Sequence, residues 1–342
     1  MDRRGFLKSG GAAAVAAGAA PARAEANLAA PGGDTRPPAL PGARALTLAR
    51  DRGHDLAGFA ADRLANRIAV ATGGRFRLER GDAAACDLSF GDAHALSALH
   101  PGFAFFAGLP AGVGLPSAEL DAWLVLGGGQ LLCDELARPF GFKLLVAGHM
   151  GEPAGLWSNV RLERAADLVG LRVAAAGAAA RVLACLGATP IDVAPHDLRA
   201  ALASGEVGAA EWAGPPPAAA FDLGPLAQGL YQPGLNRSGA LIVMRVERGL
   251  WDALSPADQA IFEACAAEES RLQLAEAKVY ASLAAGARTG AKWPLRTGLP
   301  GPVAEAVAAA GRAVLAELAG HDAACRRIAA SYEAYRRWRG VA

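Results

Sequence analysis

The sequence predicts an α/β protein whose parallel strands are doubly wound with helices. Two observations carry that expectation. One is a β-α-β opening between residues 45 and 78, and the other is a pair of consecutive crossovers within residues 170–212. Two crossovers in so short a stretch mark a doubly wound unit, because each parallel strand needs its own return helix. The chain has 342 residues, 53% of them hydrophobic, which suits two domains of ordinary size or one large unit with a divided core.

The elements follow in chain order. Ala45–Ala49 reads as a first strand. From Asp55 to Thr72 the spacing is helical, with Leu56, Phe59, Leu64 and Ile68 on one side and Gly73-Gly74 as the stop. Arg75–Leu78 alternates like a strand. A helix is expected over Ser117–Leu126, and Gly127-Gly128-Gly129 reads as a helix-to-helix turn rather than a phosphate cradle. Gly170–Ala174 forms a strand, followed by an Ala-rich helix to Leu186 that Gly187 ends. Thr189–Val193 is the next strand, Pro195–Ala203 a short helix closed by Gly205, and Val207–Trp212 a third strand. Leu241–Met244 is a further apolar strand. Ser255 then caps a long helix with proline in its first turn and Asp258 three residues after the cap. Its expected apolar face is Ile261, Cys265, Leu272, Ala275 and Val279. A last helix, Pro302–Ala319, leads to a basic, aromatic tail with Tyr332, Tyr335 and Trp338.

The first segment reads as an export signal. Arg3-Arg4-Gly5-Phe6-Leu7-Lys8 precedes an uncharged run, Ser9–Ala20, that is too short for a bilayer span of about 20 residues. Ala22-Arg23-Ala24 supplies the small residues of a cleavage point. The pattern resembles a bacterial twin-arginine signal. Cleavage there would remove three net positive charges and take the formal charge from +1 to −2. Such a balance offers no electrostatic footprint for nucleic acid. Gly and Pro total 63 residues, short of the roughly 25–30% that marks low complexity.

Hydrolytic and nucleotide motifs are absent: there is no G-x-S-x-G, no H-E-x-x-H and no P-loop. The six histidines are scattered, and His94 and His100 stand six apart, so solvated or capping roles are expected. None of the five cysteines forms a C-x-x-C pair. Cys185 and Cys265 lie on apolar helix faces and read as buried small hydrophobes. The exception to this quiet chemistry is Glu211-Trp212, at the end of the third strand of the second unit. Ligands of doubly wound sheets sit beyond the carboxyl ends of strands. A carboxylate and an indole there can hold a ligand donor and wall a cleft; a strand-end ion pair with a buried tryptophan explains them equally well.

Three runs in order, Asp167–Arg172, Val182–Pro190 and Glu211-Trp212-Ala213-Gly214-Pro215, resemble the solute-binding proteins of TRAP transporters. The likeness is greatest to the subgroup that binds 2-oxo acids and lactate. Tyr231–Gly234, Trp251–Leu254 and Ser331-Tyr332 continue it, and Trp123-Leu124 with the glycine triplet fits the first lobe. The resemblance implies a two-lobed periplasmic binding protein fold with doubly wound lobes, crossing strands and long C-terminal helices. On that reading residues 1–24 are the signal and 25–44 a linker. Residues 45–150 form lobe 1, with a return segment near 240–265; 151–239 form lobe 2, and 266–342 a C-terminal helical region. It further implies a periplasmic receptor without chemistry of its own. Such a receptor closes on a small organic acid, hands it to a TRAP-type membrane permease, and pairs as a homodimer through its C-terminal helices. A ligand-free partner or sensor protein, and a periplasmic enzyme using Glu211, are the other readings.

The departures from the family are specific. Its metal-ligating glutamine falls on Pro153, its carboxylate-clamping arginine on Ala174, and a glutamate of its metal shell on Arg237. Its Tyr-Asp after Gly-Pro is Pro216-Pro217. Only Glu211 and the Trp212 carbonyl survive from the metal shell. Sodium or calcium belongs to the family pattern, but this donor set counts against either, since calcium takes about six to eight oxygens. Arg237 could replace both metal and clamp, because a guanidinium matches a carboxylate with two parallel donors. Alternatively it neutralises Glu211 and the cleft takes a less anionic ligand. The expected ligand-binding set is therefore Glu211, Trp212, Asn236 and Arg237, with Trp157 as a second cleft wall or, equally, a core residue, and Arg172 as a weaker stand-in clamp.

Overall fold

The computed structural model describes residues 41–50, 55–82, 85–151, 155–194, 197–211, 223–232, 234–235, 239–286 and 295–340. Within them lie two sheets. The first has the order β2-β1-β3-β10-β4, formed by β1 (Arg44–Arg50), β2 (Phe76–Arg80), β3 (Leu88–Asp92), β4 (Phe142–His149) and β10 (Leu241–Glu247). The strand β1 runs parallel to β2 and β3, and β10 runs antiparallel between β3 and β4. The second sheet has the order β11-β9-β5-β8-β6-β7: β5 (Leu156–Ser158), β6 (Arg172–Ala174), β7 (Thr189–Ile191), β8 (Ala209–Glu211), β9 (Gly229–Gln232) and β11 (Leu295–Gly298). The region expected to be purely helical thus returns a strand, β11, to the second sheet, parallel to β9.

Alternation along the strands assigns each sheet two covered faces. On the first sheet, Leu46, Leu48, Ile242 and Met244 face helix α1 (Asp55–Ala71) and the long helix α7 (Pro256–Gly286). Its other face meets α2 (Ser117–Val125), α3 (Gly129–Ala137) and the terminal helix α9 (Ala323–Arg339). On the second sheet, Val173, Ala209 and Tyr231 face α4 (Gly177–Cys185), against which α8 (Gly301–Gly320) packs. Trp157, Ala174, Ala210 and Leu230 face α5 (Leu198–Ser204). The short α6 (Arg248–Ala253) follows β10. Two segments cross between the sheets, after β4 and before β10, and the Met150 amide donates to the Ala240 carbonyl at 2.7 Å to hold them side by side. No helix among the described residues is long and apolar enough to cross a membrane.

Three expectations are corrected. Phe59 is 47% exposed, because the buried stripe of α1 is Ala60, Ala61, Leu64, Ala65, Ile68 and Ala69. Five residues before Leu64, at 3.6 residues per turn, Phe59 falls on the flank of that stripe. Cys185 is exposed while Cys265 is buried. It is the last residue of α4, beyond the covered positions Ala178, Ala179, Val182 and Leu183. On α7, Ala275 and Val279 are exposed, since the buried positions are Phe262, Cys265, Ala266, Glu269 and Ser270.

Two local devices yield predictions. In the turn between α2 and α3, a Cβ on Gly129 would lie 2.8 Å from the indole of Trp123, a side chain with no room to move. Gly129→Ala should therefore cost about 1–3 kcal/mol in urea unfolding. Gly320→Ala, whose Cβ meets nothing within 4 Å, should be neutral or stabilising by about 0.4–1 kcal/mol. At the start of α7, Ser255 Oγ accepts from the Asp258 amide at 3.1 Å and donates to its Oδ2 at 2.7 Å, and Arg75 pairs with Asp258 at 2.6 Å. Burial alone would raise the Asp258 carboxyl, but the Ser255 hydroxyl and the Arg75 guanidinium hold it below the ordinary 3.8. The folded value is depressed, so this carboxylate contributes stability above pH 3.8 that fades as pH falls through the folded value. Asp258→Asn should flatten the acid limb of a stability-versus-pH curve without changing its shape above neutrality.

Candidate functional site

In the second sheet β6 and β8 run parallel, with Val173 opposite Ala209 and Ala174 opposite Ala210. Glu211 therefore ends β8 one position beyond that pair, beside residue 175. Period-two alternation places it on the same face as Ala209, the α4 side. The residue is only 7% exposed. Its carboxylate is not left bare: the Leu235 amide donates to Oε2 at 2.9 Å, and the Leu235 carbonyl accepts from the Ala111 amide at 3.3 Å. Leu235 thus ties the strand-end acid, through its amide, to the loop that precedes α2, through its carbonyl.

On this face and at this end of the sheet, β6 leads into α4. Its cap residue Ala176 makes no side-chain hydrogen bond to the first-turn amides. A cavity of about 210 Å³ opens there, lined by His94, Ser97, Gly177, Ala178 and Arg181, with Ala104, Ala107 and Leu318 among its apolar walls. Ser97 Oγ is buried and has no hydrogen-bond partner among the described residues. Arg181, one turn into α4, pairs with Glu317 at 2.5 Å. Gly177 has φ +62°, and a Cβ on it would stand 2.5 Å from the His94 ring, so only glycine lets this turn close on the cavity wall. Helix-start amides, a hydroxyl and a guanidinium make a setting for a small anion.

The expected residues do not all meet. Trp157 is 6% exposed in the cluster with Leu198, Leu202 and Ala210, on the α5 face opposite Glu211. Arg172 is exposed at the start of β6. Three residues of register separate it from the position beside Glu211, about 10 Å along the strand. Trp212, Asn236 and Arg237 lie outside the described residues, as do Pro153, Pro216 and Pro217; the Leu235 amide that binds Glu211 stands two residues before Arg237. Serine and arginine of the cavity were not singled out from sequence. The available signal was Gly177 in a strand-to-helix turn with Arg181 four residues on, the pattern of an anion-binding helix start. The histidines also differ from expectation. His100 does cap, accepting from the Gly102 amide at 3.1 Å, but His149 is buried at the end of β4, with Nε2 3.4 Å from Asp121.

Comparison with known proteins agrees with this architecture. A Monocarboxylate 2-oxoacid-binding periplasmic protein of Nostoc sp. is 26% identical over 229 residues, 63% of this chain and 62% of that protein. The matched stretch thus spans under two thirds of the curated relative. A TRAP transporter solute binding protein from Bordetella bronchiseptica, solved as a dimer with copurified calcium and picolinate, superposes with a TM-score of 0.77 at 25% identity. That alignment covers 88% of this chain and 94% of the other. A TRAP periplasmic solute binding protein from Colwellia psychrerythraea, with bound calcium and pyruvate, gives 0.79 at 21% identity over 87% of this chain and 96% of its own. These likenesses establish the two-lobed α/β fold with its long C-terminal helices. The DctP family, described as bacterial extracellular solute-binding protein, family 7, matches residues 116–294, more than half of the sequence. The chain belongs to that family.

Proposed function

We propose that this protein is a periplasmic receptor of a TRAP-type transporter. It would bind a small organic acid of the 2-oxo or hydroxy class between its lobes and deliver it to a membrane permease, performing no chemistry. The observation that carries the reading is the buried Glu211 at the carboxyl end of β8, on the same face and at the same end of the sheet as the 210 Å³ cavity. Support comes from relatives: the Nostoc protein is named for monocarboxylate 2-oxoacids, and the Bordetella protein holds picolinate. Residues 1–24 would export the folded chain by the twin-arginine route. The hydrogen-bonded crossings at Met150 and Ala240 would absorb the rotation that closes the lobes.

The Bordetella and Colwellia proteins were solved with calcium as well as an acid, and the residues here fit a cation poorly. One Glu211 oxygen is committed to the Leu235 amide, position 174, where the family's arginine falls, is alanine, and position 153 is proline. That falls short of the oxygen set calcium takes. In our reading the ligand carboxylate is held by protein charge alone: Arg237 with Asn236 and Trp212 near Glu211, and the first turn of α4 with Ser97. Native mass spectrometry of the mature protein with pyruvate, lactate and longer 2-oxo acids tests this, with and without sodium or calcium. One equivalent of acid should bind irrespective of the cation. Uptake that requires the metal overturns the metal-free clamp, and no uptake of any acid overturns the receptor. Arg237→Ala should abolish acid binding in the same assay, and unchanged affinity would remove that side chain from the site.

A further inference from the structure

Far along the chain from Glu211, the elbow between α8 and α9 gathers four donors of three kinds. His321 closes α8, Asp322 is the cap of α9, and Cys325 sits in its first turn. Against them comes His100, from the segment leading into the turn Pro101–Phe105. His100 Nε2 lies 2.9 Å from Asp322 Oδ2, Cys325 Sγ lies 4.0 Å from His100 Nδ1, and the His321 ring stands edge-on to that of His100 at 5.3 Å. One donor atom each from His100, Asp322 and Cys325 falls within a 4.8 Å sphere of mutual distances. Cys325 is fully buried while His100 and Asp322 are partly open, so the group has a dry floor and a wet entrance.

We propose that this elbow is a binding site for a zinc-class transition-metal cation, ligated by His100, Asp322 and Cys325, with His321 as the fourth donor. Imidazole, thiolate and carboxylate together select zinc over calcium or magnesium, which prefer oxygen alone. Metal–ligand bonds of about 2.0–2.3 Å place tetrahedral donors some 3.3–3.7 Å apart, so separations of up to 4.8 Å close by about 1–1.5 Å around the ion. Three existing bonds change on binding. The Nε2 proton that His100 shares with Asp322 moves to Nδ1, which gives up the Gly102 amide, and Nε2 turns its freed lone pair to the metal. The Cys325 S–H bond breaks, its proton leaving to solvent as the S–metal bond forms. The other Asp322 oxygen accepts from the Cys325 amide at 2.7 Å and keeps the carboxylate aimed at the site. Metal here would pin the α8–α9 elbow to the Pro101–Phe105 turn, some 220 residues apart in sequence.

The test is titration of the tag-free mature protein with cobalt(II) and zinc(II), in a background where Cys86 and the exposed Cys185 are changed to serine. One equivalent of cobalt should give a thiolate-to-metal charge-transfer band with the intense visible bands of tetrahedral coordination, and zinc should bleach both. Zinc at about hundredfold over its dissociation constant should raise the thermal midpoint by about 5 °C. Cys325→Ser should lose the charge-transfer band, and the surface change His321→Ala should weaken cobalt binding about tenfold or more while leaving the apo midpoint unchanged. Absence of a thiolate band in the background protein overturns the site, as does its persistence in Cys325→Ser. If Cys325→Ser does not fold, an unaltered cobalt affinity in His321→Ala together with no zinc-dependent midpoint shift overturns it equally.

Discussion

Replacing Trp123 by alanine is expected to destabilise the protein by about 3–5 kcal/mol, the range for emptying a large buried aromatic site. The indole is fully buried. It stacks on Phe106 with centroids 5.4 Å apart, and the Tyr332 ring meets it edge-on at 5.2 Å. Its Nε1 donates to Ser331 Oγ at 3.1 Å. The α2–α3 glycines pack directly on its ring, so neither turn nor helix can move in to fill the hole. Tyr332 cannot follow, because its hydroxyl accepts from the Leu115 amide at 2.7 Å. A site that cannot collapse keeps its cavity term. Trp123→Phe should cost less, since most of the stacking area remains and Ser331 keeps a bond to the Gly127 carbonyl. By contrast Trp338, 77% exposed on α9, should change stability by no more than about 0.5 kcal/mol when truncated. Urea midpoints of the three variants decide the matter. A Trp123→Ala cost under about 1 kcal/mol would mean this corner is loosely packed and the helix pair adaptable.

What was legible in the sequence was local. The run from β6 to β8 announces itself because each strand is short and apolar and each helix ends on a glycine with positive φ, +79° at Gly187 and +77° at Gly205. The helix caps around Ser255 were legible for the same reason, since a cap needs only residues three apart. Strand β4 was not. Its residues Leu144 and Leu145 point to opposite covered faces, which erases the alternation a strand shows when one side is wet. Its partner β10 arrives about a hundred residues later with a register shift near Ile242. Glu211 was legible because topology alone puts a strand end at a crevice. Its lock was not, since the Leu235 amide comes from a different crossing. Ser97 and Arg181 were harder still: 84 residues separate them, and only Arg181 carries a local cue, four residues after Gly177. Trp157 shows the converse, because a tryptophan at a strand near the crevice looks the same in sequence whether its parity sends it to the α4 face or the α5 face.

Glu211→Ala should eliminate acid binding, a loss of more than about hundredfold, and should also cost about 1.5–3 kcal/mol of stability. The stability term arises from the Leu235 amide, which would be buried without its charged acceptor. With that bond gone, Leu235, whose carbonyl accepts from the Ala111 amide, loses its anchor on β8. Affinity and fold therefore fall together, and this variant alone cannot separate them. Glu211→Gln does. Its side-chain carbonyl still accepts from Leu235, so stability should stay within about 1 kcal/mol of wild type while the negative charge disappears. If Glu211 orients the proposed Arg237 clamp, the neutral variant should bind 2-oxo acids about ten- to hundredfold more weakly, the worth of one charge-assisted hydrogen bond. If instead Glu211 competes with the ligand for that guanidinium, the same variant should bind more tightly. Calorimetric affinities of Glu211→Gln beside its urea midpoint therefore assign the carboxylate its part. Weaker binding on an intact fold makes it an orienting partner of the clamp, tighter binding makes it a rival anion, and unchanged binding confines it to holding Leu235.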